Sequence, residues 1–240
     1  MPSSAIEKHD CHKITDQTIH DLKAIDCHEL ILENLTDLDV ESIRWLRQLT
    51  KPQSVTFPNI KDLSPTVALE LADGFRTQLN FPGIQNLPRN TLRALCSWKR
   101  GWITFANIQT CEVDDEHFEL ALHSGNLSLV RMFIEFFDFR VNHVFRNRSV
   151  PILIAGQHLN GALIRLLIDL GADPNVQSHK DGDTILHMLC RARANGLITF
   201  LIDQVDLTLK NVNGRTPQDE YMDADPIRER LTPPEPPASY

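Results

Sequence analysis

The feature that most constrains this chain is a six-residue apolar pattern that returns every 34 residues. Val130-Arg131-Met132-Phe133-Ile134-Glu135 is followed by Ile164-Arg165-Leu166-Leu167-Ile168-Asp169 and then by Ile198-Thr199-Phe200-Leu201-Ile202-Asp203. Each copy places its apolar residues on one face of a helix. A shorter apolar segment lies about a dozen residues upstream of each copy, at 118–122, 152–155 and 185–190. A helix pair of this size cannot enclose its own apolar face, so each pair must stack on the next.

The first half repeats on a shorter step. Leu30-x-Leu32-x-Asn34-Leu35-x-x-Leu38 returns as Val55-x-Phe57-x-Asn59-Ile60-x-x-Leu63, as Leu79-x-Phe81-x-Gly83-Ile84-x-x-Leu87, and as Ile103-x-Phe105-x-Asn107-Ile108-x-x-Cys111. The starts are 25, 24 and 24 residues apart. Alternation over three residues makes a short strand with one face inward. The fixed Asn or Gly suits a turn, because both tolerate unusual backbone angles. Helices are expected to follow at 40–49, 65–74 and 89–98, with Ser64 and Pro65 as an N-cap and N1 pair. Residues 14–25 read as a helix closing the open end, and 114–122 as a helix shared by the two repeat types.

Two family resemblances follow from these residues. Asp181-Gly182-Asp183-Thr184-Ile185-Leu186-His187, Asn213-Gly214-Arg215-Thr216-Pro217 and Gly171-Ala172-Asp173-Pro174-Asn175 resemble the turn-and-helix signatures of the ankyrin repeat. Ala121-Leu122-His123-Ser124-Gly125-Asn126-Leu127 looks like that repeat's middle turn. Ile185 stands where the family usually has Pro, and Leu159 where the first unit has Gly125. The shorter units look like a compressed leucine-rich repeat. The expected fold is therefore a mainly α solenoid with short parallel strands in its N-terminal half, the leucine-rich-repeat-like units continuing into an ankyrin stack. Residues 1–112 would hold the cap helix and short units, and 113–231 about three ankyrin repeats with a C-terminal cap. The proline-rich 232–240 would be an extended tail. No linker composition separates the halves, so one continuous array is expected.

Charge bears on partners. The net charge is -8, with 12 Lys/Arg against 17 Asp/Glu in residues 1–118 and 12 against 15 in 119–240. Neither half is a basic footprint for nucleic acid or an anionic membrane. The start, from Met1 to Asp10, lacks a secretory pattern, and no apolar run approaches a membrane span. Cys11, Cys27, Cys96, Cys111 and Cys190 are odd in number and scattered, as suits reduced thiols in a cytoplasm.

Little in the chain looks like chemistry. His9-Asp10-Cys11-His12 with Cys27-His28 is the only cluster of metal-ligand types, and it lacks the matched spacing a zinc site needs. It reads as a floppy N-terminus beside a buried cysteine. The other cysteines fall at apolar repeat positions, and no nucleophile elbow, phosphate loop or zinc-protease motif is present. No cofactor, metal or catalytic residue is expected, and the chain is not expected to be an enzyme.

The ankyrin resemblance implies a protein-binding module, monomeric, with another protein as partner. It implies that His187 bridges neighbouring loops. It also places contact residues at the hairpin tips and late in the first helix of each unit. Those positions are Arg146, Asn147, Ser149, Gln157 and His158, then Lys180, Asp181, Asp183 and Arg191, then Asn213 and Arg215. A regulatory or targeting subunit is the alternative. Both repeat types in one chain also resemble bacterial effectors that work in a host cytoplasm. Trp45, Trp98 and Trp102 read as half-buried packing residues, with one ring of the Trp98–Trp102 turn accessible.

Overall fold

The structure, a computed structural model, describes residues 6–50, 52–72, 77–98, 102–222 and 226–232. The end of the helix expected at 65–74, the turn at 99–101 and the tail beyond Thr232 lie outside them. The chain divides into two compact units, residues 1–137 and 138–240.

The first unit alternates strands and helices. Strands β1 (Ile6–Asp10), β2 (Glu29–Glu33), β3 (Ser54–Thr56), β4 (Gln78–Asn80) and β6 (Ile103–Thr104) form one parallel sheet in chain order. Its register pairs Leu30 with Val55, Val55 with Leu79 and Leu79 with Ile103, which is the alignment of the 24–25-residue period. Helices α1 (Asp16–Ala24), α2 (Val40–Leu46), α3 (Pro65–Ala72) and α4 (Arg89–Cys96) alternate with these strands. Side-chain caps start three of them. Thr15 accepts from the Thr18 N–H, Asp39 from Ser42, and Ser64 from Val67. A second ladder, β5 (Asn86–Leu87) with β7 (Thr110–Cys111), was not visible in the sequence.

The inward residues stack as expected. Leu32, Phe57 and Phe81 are completely buried and Phe105 nearly so. Phe57 and Phe81 lie ring on ring at 4.9 Å and 11°, Phe81 and Phe105 at 6.0 Å and 24°. Trp98 is fully buried, Trp45 half-buried, and Trp102 exposed.

Three expectations need correction. The segment from Ile6 to Cys11 is not floppy. Residues 6–10 add strand β1 to the open edge of β2, and the Cys11 N–H donates to the Glu33 carbonyl at 3.0 Å. An uncovered parallel edge leaves a row of unpaired backbone groups, and β1 supplies their partners. The unit is a degenerate first repeat. Ile14, buried, stands 24 residues before Leu38, while Glu7 and His9 occupy the places of Leu30 and Leu32. Next, of the four turn positions only Asn34 takes a left-handed conformation, at φ 66°. Gly83 is required for space instead, since a Cβ there would lie 2.6 Å from the carbonyl oxygens of both Pro58 and Ile60. Finally, Cys111 is half-buried rather than a core residue.

Helices α5 (Asp115–Ser124) and α6 (Leu127–Phe136) complete this unit, and α5 packs on α4 as the shared helix was expected to do. The second unit contains two further helix pairs, α7 (Pro151–Gln157) with α8 (Gly161–Asp169), and α9 (Ile185–Arg191) with α10 (Asn195–Leu201). A short 3-10 turn (Ile202–Gln204), α11 (Pro217–Glu220) and α12 (Pro226–Arg230) follow. Val130, Ile164 and Ile198 are each fully buried and each the fourth residue of its helix. Their N–H groups donate to the N-cap carbonyls of Asn126, Asn160 and Ala194. The turns before these helices are equivalent too, with Gly125, Leu159 and Arg193 all left-handed at φ 73°, 50° and 54°. Leu159 thus holds the glycine conformation without being glycine.

Candidate functional site

Each helix pair of the second unit is preceded by a long loop, and these loops repeat in detail. Asn142 Oδ1 accepts from the Asp173 N–H at 2.9 Å, and Asn175 Oδ1 accepts from Asp206 at 2.8 Å. The side chain of one loop therefore fixes the start of the next. Further along, each loop closes into a hairpin tip. The Phe145 N–H donates to Ser149 O, Ser178 to Asp183 O, and Asn211 to Arg215 O. Each tip holds a left-handed residue, Arg148, Gly182 or Gly214.

The tips are tied to one another. The Val212 N–H donates to Asp181 O at 2.9 Å, Gln177 Nε2 donates to both Gly182 O and Lys210 O, and Arg148 meets His179. Beneath them His187 does what was expected of it. Its Nδ1 accepts from the Thr184 N–H and hydroxyl, which leaves Nε2–H to donate to Arg215 O at 3.0 Å. In the first unit the sequence reading missed the same device. His117, buried, faces Asp114 through Nδ1 at 2.6 Å and Arg89 O through Nε2 at 3.2 Å. Its signal was an Asp-x-x-His spacing matching Thr184-x-x-His187.

Of the anticipated contact residues, Arg146, Asn147, Lys180, Asn213 and Arg215 are exposed on the tips. Ser149 and Asp181 are half-buried there. Gln157 and His158 are exposed at the opposite end of α7 from its tip, so they form a separate group. Asp183 faces inward, only 2% exposed. Its carboxylate accepts from Arg191 at 2.8 Å and from Asn211 at 2.9 Å. Arg191 also reaches Glu220 at 3.3 Å, and Asn211 donates to the same carboxylate. This network fastens α9 and its tip to α11. Burial pushes the Glu220 carboxyl upward, but Arg191, Asn211 and Arg215 hold it below the usual range. Asp181 is likewise opposed by burial and held low by Ser178 and the Asp183 N–H.

The cysteines are set against reactivity. Burial pushes the Cys190 thiol up to about 12 and Cys111 to about 11, and it raises Cys11, Cys27 and Cys96 as well. A thiol so raised holds its proton and is a poor nucleophile. Among the described residues no group of three or more His, Cys, Asp or Glu side chains is arranged to hold a metal. No helix among them is long and apolar enough to cross a membrane.

Known proteins resemble parts of this chain. No protein-family model matches it. Proteins described as "Ankyrin repeat, SAM and basic leucine zipper domain-containing protein 1" match in several mammals. The one from Mus musculus is 36% identical over 84 residues, 35% of this chain and 17% of that protein. The one from Otolemur garnettii is 36% identical over 98 residues, 41% of this chain and 20% of that protein. The one from Dasypus novemcinctus is 31% identical over 103 residues, 41% of this chain and 21% of that protein. The chain thus matches about a fifth of these relatives' length. Among solved structures, the ankyrin repeat domain of Bcl-3, a member of the IkappaB protein family, aligns at TM-score 0.47 and 19% identity, covering 69% of this chain and 67% of that one. The relatives show ankyrin-repeat homology, and no enzyme family is indicated.

Proposed function

We propose that this chain is a monomeric protein-binding module with no chemistry of its own, and that it docks a partner protein on the hairpin-tip edge of its second unit. One observation carries the reading. The second and third tips are tied by the Val212 N–H to Asp181 O and Gln177 Nε2 to Lys210 O bonds, and the first joins them through the Asn142–Asp173 bond and the Arg148–His179 contact, so a row of exposed side chains is presented by a hydrogen-bonded support. Preorganisation of that kind reduces the ordering cost of binding. Ankyrin-repeat homology agrees with it.

The contact set on this reading is Arg146, Asn147, Lys180, Asn213 and Arg215, with Ser149 and Asp181 beneath them and Gln157 and His158 as a second group. Asp183 and Arg191 serve as the support behind the edge. The leucine-rich-repeat likeness of residues 1–112 and the ankyrin assignment of 113–231 belong to the same proposal. So does a cytoplasmic role, including that of an effector in a host cell or of a targeting subunit. Five unpaired cysteines suit a reducing compartment.

The test is a triple substitution, Arg146→Glu with Lys180→Glu and Arg215→Glu, in the full chain. Arg146 and Lys180 are exposed positions of a kind that change stability by about 0.5 kcal/mol or less, whereas Arg215 also faces Glu220 at 3.8 Å, so any fall in the melting curve should come from that position and be smaller with Arg215→Gln. A partner identified by cross-linking to the wild-type chain should be lost. Full-affinity binding of that partner by the triple variant refutes the edge as the site.

A further inference from the structure

The charge of the tip edge identifies the partner's chemistry. Segments 143–149, 177–183 and 210–216 carry five Lys/Arg residues and two acids, in a chain of net charge -8. All five cations, Arg146, Arg148, Lys180, Lys210 and Arg215, are exposed. Of the two acids, Asp183 turns back into the fold and Asp181 is half-buried. Asp183 is buried against Arg191 and Asn211, and Asp181 accepts the Asp183 N–H in its own turn. Arg215 keeps 61% of its side chain exposed, 3.8 Å from Glu220, and with Lys210 it lies within electrostatic reach of the exposed Asp219. With Asp219 counted, the edge still carries an excess of exposed cations although the molecule is acidic. The carboxylates of Asp173 and Asp206 sit earlier in the loops, where they accept from Asn175 and Thr208.

We infer that the partner of this edge presents an acidic peptide segment, Asp- and Glu-rich with aliphatic residues between the acids. The inference rests on the tip edge being the binding surface. Guanidinium groups match carboxylates in a two-pronged geometry, and a row of them steers an acidic segment into register. The exposed apolar side chains among the cations are Val144 and Val212, 63% and 69% exposed. Valines offer aliphatic contacts to a peptide, whereas a single-stranded nucleic acid is held by aromatic stacking platforms along a basic groove.

The experiment uses the full chain and a fluorescent twelve-residue peptide of alternating acidic and aliphatic residues. The comparison peptide has Asn and Gln in place of the acids, and a single-stranded oligonucleotide is the competitor. The acidic peptide should bind, and the neutral one should bind at least about tenfold more weakly, as the loss of several exposed ion pairs implies. Raising the salt about tenfold, or the Arg146→Glu, Lys180→Glu, Arg215→Glu variant, should weaken the acidic peptide by a similar factor. Equal binding of the two peptides, or unchanged binding by the triple variant, overturns the inference. So does an oligonucleotide that binds more tightly than the acidic peptide. If the triple variant loses the cross-linked partner while the two peptides remain indistinguishable, the edge stands as the site and its acidic partner falls.

Discussion

Replacing Phe81 with Ala tests the physical basis of the first unit most directly. The Phe81 ring is completely buried between Phe57, 4.9 Å away, and Phe105, 6.0 Å away. The backbone at Phe57 and Phe81 is tied to the neighbouring strand. Phe57 N–H donates to Asn80 O and Phe81 N–H to Thr104 O, both at 2.9 Å. Strands held in that way cannot close over a missing ring, so the cavity persists and the cost approaches the upper part of the roughly 3–5 kcal/mol expected for buried Phe→Ala. About 0.5–1.5 kcal/mol of it per neighbour comes from the lost ring pairs. Urea unfolding followed by far-ultraviolet circular dichroism reads this out. With a slope of about 1–3 kcal/mol per molar urea, the midpoint of this unit falls by at least about 1 M. Phe81→Leu keeps most of the volume and should cost less than about half as much. An unchanged midpoint for the Ala variant, or equal costs for Ala and Leu, refutes the stacked ladder.

Other consequences are as specific. Gly83→Ala should destabilise the first unit strongly, because its Cβ meets two backbone oxygens at 2.6 Å, whereas Gly196→Ala, in α10 with nothing within 4 Å, should stabilise by about 0.4–1 kcal/mol; equal thermal shifts for the two would contradict the steric account. Glu220 is charged and held low in the folded state, so its contribution is present at neutral pH and is lost as pH falls from 4.5 through the lowered value. Glu220→Gln should therefore be less stable than wild type near pH 7, with the gap closing in acid; a gap independent of pH would exclude the ion-pair network as its source. His187→Ala removes the donor to Arg215 O and the acceptor for Thr184, at a cost of at least about 2 kcal/mol. The amide of Asn211, bonded to Arg215 O, should then exchange faster with deuterium, and an unaltered rate would show that the histidine does not hold the tip.

The fold was legible wherever side-chain periodicity and backbone pairing coincide. The steps of 25, 24 and 24 residues are the strand register itself, because one strand per unit and parallel pairing force equivalent residues opposite one another. The first strand escaped because edge pairing needs only backbone groups. Glu7 and His9 stand where the other units have apolar residues, and the strand's side chains are largely exposed. The small β5–β7 ladder escaped for the same reason, being two residues long with only Leu87 of its four residues in the core. Gly83 was placed correctly in a turn for the wrong cause. Sequence shows that a side chain is absent, but the two carbonyl oxygens that exclude it come from residues 23 and 25 positions earlier.

Legibility of the candidate site divides along the same line. The ankyrin resemblance supplied the tip positions and the role of His187, and the 34-residue register carried them from one loop to the next. It could not give the direction in which each side chain turns. Asp181 and Asp183 belong to one tip and differ by two residues, yet only Asp183 is enclosed, by an arginine eight residues later and an asparagine 28 residues later. That inward turn converts what reads as a mixed-charge edge into a positive one. Arg148 was overlooked because its place in the other tips belongs to Gly182 and Gly214, which have no side chain to present. A residue forced into a left-handed turn at φ 62° projects its guanidinium from the tip, where it meets His179 of the neighbouring loop. The character of the edge therefore comes from side chains that depart from the repeat, on a support built by those that obey it.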